Sequence, residues 1–79
     1  MTTIEVRNLP ADAKEKSLQQ VFARFGQVTS VKLGGEHRLR AKKSGFVEMP
    51  KAEDADHAIR RLDGQYFRGS FLRVQKLVN

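Results

Sequence analysis

Apolar and polar residues alternate with period two along several stretches of this chain, and recur with helical period along two others. In residues 3–7, Ile4 and Val6 fall on one side and Glu5 and Arg7 on the other, the signature of a half-buried strand. Asn8-Leu9-Pro10-Ala11-Asp12 is turn chemistry and ends it. Within residues 14–25, Leu18, Val21, Phe22 and Phe25 stand at i, i+3, i+4 and i+7, one apolar stripe on a helix that Gly26 is expected to stop through a positive φ. Residues 27–33 read as a strand with Val31 and Leu33 opposed to Lys32, broken by Gly34-Gly35. Residues 44–49 read as another, with Val47 and Met49 inward, Ser44, Phe46 and Glu48 outward, and Pro50 after it. A second helix is predicted over 51–62, striped by Ala55, Ala58, Ile59 and Leu62, with Glu53 and Asp54 at its positive end. Asp63-Gly64 turns the chain into a final strand, 71–77, with Leu72 and Val74 inward and Arg73 and Gln75 outward.

The order strand, helix, strand, strand, helix, strand implies an α+β, ferredoxin-like β-α-β-β-α-β sandwich: a four-stranded antiparallel sheet with two helices on one face. The other face stays open to water. By alternation it carries Glu5, Arg7, Lys32, Ser44, Phe46, Glu48, Arg73 and Gln75. Spacing assigns Phe22, Phe25 and Phe71 to the core.

Composition narrows the function. Residues 1–79 suffice for one domain. Cysteine is absent, so disulfides and thiolate metal sites are excluded. No apolar run approaches the roughly 20 residues of a membrane span. The start, Met1-Thr2-Thr3, lacks the basic and apolar regions of a signal peptide. The expectation is an intracellular monomer, cytoplasmic, or nuclear in a eukaryote. Lys and Arg number 15 against 9 Asp and Glu, a formal charge of +6, which favours a polyanionic partner. Part of that charge clusters in Arg38, Arg40, Lys42 and Lys43, in a segment that reads as a basic loop between strands.

The segment Lys42-Lys43-Ser44-Gly45-Phe46-Val47-Glu48-Met49, with Ile4-Glu5-Val6-Arg7-Asn8-Leu9, resembles the octamer and hexamer motifs of the RNA recognition motif (RRM) family. Asn8-Leu9-Pro10, Phe25-Gly26 and Leu62-Asp63-Gly64 are further pieces of that resemblance, which spans essentially the whole chain. It implies single-stranded RNA binding on the open sheet. Two positions depart from the family pattern: Glu5 and Ser44 stand where aromatic rings are usual. Lys14 stands where the family often has a helix-capping Thr, so Asp12 is expected to cap instead. The resemblance makes Phe46 the base-stacking ring. Arg7, Lys32 and Arg73 would meet phosphates or base edges. Asn8, Ser44 and Gln75 would add polar contacts, and Arg38, Arg40, Lys42 and Lys43 would hold the backbone. Lys76 would extend the rim. Stacking on one ring instead of three implies modest affinity and low sequence specificity.

The alternative is a protein-binding module. Some RRM relatives hold a linear peptide between the two helices, aided by an Arg-x-Phe motif after the second. Here that segment is Gln65-Tyr66-Phe67, with Gln in place of Arg. An enzyme is not expected. His37 and His57 lack an orienting partner in the sequence pattern, and two distant histidines supply no metal site. No cofactor or metal is expected.

Overall fold

The computed structural model describes residues 2–34 and 43–77. Its elements run β1 (Thr2–Leu9), α1 (Glu15–Ala23), β2 (Ser30–Gly34), β3 (Lys43–Met49), α2 (Ala52–Leu62), β4 (Tyr66–Phe67), β5 (Ser70–Phe71) and β6 (Arg73–Lys76). The main sheet has the order β2-β3-β1-β6, and its paired strands are all antiparallel. This is the expected ferredoxin-like sandwich, with one hairpin added.

The alternation of β1 and β3 decides what is inside. Ile4, Val6, Val47 and Met49 are fully buried, and Leu72 and Val74 join them from the end of the chain. Leu18 and Phe22 of α1 and Ala55 and Ala58 of α2 close over this floor, with Val21, Phe25, Ile59 and Leu62 packed around them. The two alanines let α2 lie close to the sheet. Gly45 is needed for the same reason on β3. A Cβ there would meet methyl groups of Leu18, Leu33 and Leu9 at 3.0, 3.2 and 3.3 Å.

Four local expectations need correcting. Gly26 has the expected positive φ, 158°, but stands beyond the helix cap: α1 ends at Ala23 and Arg24 closes it in right-handed geometry. That φ favours glycine, and so does the first turn of α2, because a Cβ would run into the Asp54 side chain. Asp12 does not cap α1, whose N-cap is Lys14 without a side-chain hydrogen bond. The β2 strand starts at Ser30, after Thr29 has bonded the Glu48 carbonyl through both its backbone N–H and its hydroxyl.

The fourth correction concerns the last strand, which is divided. Arg68 and Gly69, with φ 49° and 93°, make a two-residue turn between Phe67 and Ser70. Positive φ at both turn positions matches the twist of a tight hairpin. Phe71 therefore belongs to that hairpin and is not core. It is 61% exposed, with its ring edge-to-face on Tyr66 at 5.3 Å.

Candidate nucleic-acid interface

The pairing registers convert the open face into rows across the strands. Lys32 of β2 lies opposite Phe46 of β3, Phe46 opposite Glu5 of β1, and Glu5 opposite Gln75 of β6. In the adjacent row Gly34 lies opposite Ser44, and Arg7 opposite Arg73. On the other side, Ser30 faces Glu48 and Glu48 faces Thr3. The eight residues assigned to this face by alternation are all on it. Phe46, half-buried, sits on an inner strand between a lysine and a glutamate.

Glu5 organises its neighbours. Its Oε1 accepts a hydrogen bond from Gln75 Nε2 at 2.7 Å, and its Oε2 lies 3.6 Å from Arg7 Nε. In the sequence Glu5 reads only as an acid standing where a ring is usual. The three side chains share a face by alternation, and Glu5 and Arg7 are neighbours on one strand; the bond between Glu5 and Gln75 depends on a strand pairing across 70 residues. Like charges directly opposite one another are unfavourable. The Arg7–Arg73 pair is offset on one side only, by Glu5. Among the described residues, neither Arg73 nor Lys32 has a carboxylate within 4 Å, and both residues are exposed.

Other sequence-assigned residues are placed differently. Lys76 does not extend the rim: it pairs with Ile4, shares the inward parity of Val74, and binds Asp56 of α2 at 3.1 Å. Asn8 ends the regular part of β1 in left-handed geometry, φ 65°, where the β1–β3 register shifts. Its Nδ2 donates to the Phe71 carbonyl at 2.7 Å and ties the hairpin to the sheet. Lys43 is the first residue of β3, opposite Leu9, and not part of a loop. Ser44 carries its hydroxyl over Gly34. Arg38, Arg40 and Lys42, together with His37, lie outside the described residues. His57 is exposed on α2, its ring edge-to-face on Phe25 at 5.2 Å.

The helix side has a groove of about 500 Å³. Val21, Phe25, Leu62, Phe67 and Leu72 give it an apolar lining, and the exposed Arg24, Arg61 and Tyr66 border it. No helix among the described residues is long and apolar enough to cross a membrane.

Residues 4–73 match the model of the family described as RNA recognition motif. The chain belongs to the RRM family. The RRM superposes on a crystal structure of RNA Binding Protein PG1 with a TM-score of 0.90 at 32% identity, covering 100% of this chain and 96% of that one. It is 40% identical over 75 residues to RbpB of Nostoc sp., covering 94% of this chain and 73% of RbpB. It is 39% identical over 75 residues to the serine/arginine-rich splicing factor SR34B of Arabidopsis thaliana, covering 92% of this chain. The RRM spans only 26% of that relative's length, so the match concerns one module of a longer protein.

Proposed function

We propose that this RRM binds single-stranded RNA on its open sheet face. The observation that carries the reading is Phe46, an accessible ring in the middle of that face, with Lys32 beside it and Arg7 and Arg73 one row away. A base stacks on the ring because every base has a π-face. The three cations hold phosphates or base edges, and a guanidinium plane also stacks on a base. Ser44 and Gln75 supply hydrogen bonds. Lys43 and the basic segment containing Arg38, Arg40 and Lys42 follow the backbone. The descriptions of PG1 and RbpB as RNA-binding proteins fit this reading. One ring at the place of three keeps the affinity modest and confines sequence preference to few positions.

The test is an amide NMR titration with a randomised short RNA pool at low and then moderate salt. Shifts centred on Arg7, Lys32, Phe46 and Arg73 that fade with salt support the reading. An unperturbed sheet face at low salt refutes it.

The groove on the helix side supports a second reading, a peptide site. Its apolar lining beside Arg24 and Arg61 suits an acidic segment bearing a bulky apolar side chain. Shifts confined to Val21, Phe25 and Leu62 on adding an acidic Trp-containing peptide, and their loss in an Arg24→Glu, Arg61→Glu double variant, would establish it. No shift at those three residues with that peptide rules it out.

A further inference from the structure

A carboxylate in the middle of a face offered to a polyanion calls for a physical account. Glu5 is not a loose surface acid. Its side chain is only 15% exposed, and Gln75 and Arg7 hold it at 2.7 and 3.6 Å. An ionised carboxylate has about four lone-pair positions. Its two neighbours engage both oxygens without saturating either. The remaining acceptor capacity lies on the residue directly opposite Phe46, one strand away from its ring.

The row Lys32, Phe46, Glu5 also has an electrical direction: cation, ring, anion on three consecutive strands. Adjacent strands lie about 4.8 Å apart, so the two charged residues flank the ring at comparable distances on either side. A nucleotide is polar in the same way along its length. Its phosphate is anionic, and the far edge of its base carries N–H donors. Laid on Phe46, it suits this row in one sense only, with the phosphate toward Lys32 and the base edge toward Glu5. The reverse placement sets a phosphate against a carboxylate.

We propose that Glu5 is a specificity-determining residue that accepts N–H groups from the base stacked on Phe46, and that the base it selects is guanine. The proposal rests on the RNA-binding reading and deepens it. Guanine presents two adjacent donors on its Watson–Crick edge, N1–H and the N2 amino group, which match the two oxygens of a carboxylate. Adenine and cytosine present one amino group beside an acceptor nitrogen, which a carboxylate repels. Uracil presents a single N–H between two carbonyls. Hydrogen bonds to an ionised acceptor are also the stronger kind. Glu5 thus exchanges a stacking platform, which every base can use, for a contact that depends on the base.

The experiment measures fluorescence anisotropy of labelled uridine nonamers carrying guanosine, inosine, adenosine, cytidine or uridine at the centre. The full chain is compared with Glu5→Gln and Glu5→Ala, their amide spectra confirming the fold. The guanosine nonamer is expected to bind about fivefold or more tighter than the uridine one. Inosine, which lacks the N2 amino group, should fall between. Glu5→Ala should lose the ranking while binding the uridine nonamer at least as well, since a negative charge has gone; Glu5→Gln should keep part of it. Equal binding of all five nonamers by the unmodified chain, or a guanosine preference intact in Glu5→Ala, overturns the assignment and leaves RNA binding standing. Absence of binding to every nonamer at low salt refutes RNA binding on this face, and the assignment with it.

Discussion

Phe46 and Phe22 lie on opposite sides of the same sheet, and their replacement by alanine should separate binding from folding. Phe22 is fully buried under α1, in contact with the core. Truncating a core phenylalanine costs about 3–5 kcal/mol through lost burial and the cavity left behind. In a domain of this size about 1 kcal/mol moves the melting temperature by 4–8 °C, so Phe22→Ala should largely unfold the protein near body temperature. Phe46 is only half-buried, and its outer face packs against nothing from the helices. Its loss should cost stability of roughly 1 kcal/mol or less, the full span of strand propensity. Its effect on binding should be the larger one. A stacked base is worth about 1–3 kcal/mol, so Phe46→Ala should weaken RNA binding by a factor of about 5 to 150. Urea unfolding and fluorescence anisotropy with one labelled single-stranded RNA, both at fixed salt, measure the two effects side by side. A Phe46→Ala protein that binds as tightly as its parent would refute the stacking role. One that unfolds as Phe22→Ala does would show that Phe46 belongs to the core and that the strand faces are wrong.

Other outcomes follow from the same geometry. Arg73→Ala should lower the slope of log affinity against log salt by about 0.7, one phosphate's worth on a single strand, as measured by titration at several salt concentrations. Gly45→Ala should destabilise by about 1–3 kcal/mol in chemical denaturation, because Leu18, Leu33 and Leu9 must give way to the new methyl group. Asn8→Ala should cost about 1–2 kcal/mol from the lost bond to Phe71 and the left-handed backbone, with RNA affinity little changed in anisotropy measurements. Retained stability would show that the Asn8 bond is dispensable.

Which side chains share the open face was legible in the residues themselves. Alternation along a strand is a local property, so Glu5, Arg7, Phe46, Arg73 and Gln75 could be assigned to one side without knowing how the strands pair. The helical stripes and the order of elements were legible for the same reason, since both repeat within a few residues. Which residues touch across that face was decided only by tertiary structure. Glu5 meets Gln75 because β6 pairs with β1 in one register, and that register is set by how Ile4, Val6, Leu72 and Val74 pack together. Lys76 turns to Asp56 because the same register gives it the inward parity and α2 lies below. Phe71 leaves the core because a turn with two positive φ angles forms at Arg68-Gly69, a pair that carries little of the usual hairpin signal. Local periodicity determines faces; packing over long separations determines neighbours, because only the assembled core distinguishes one register from the next.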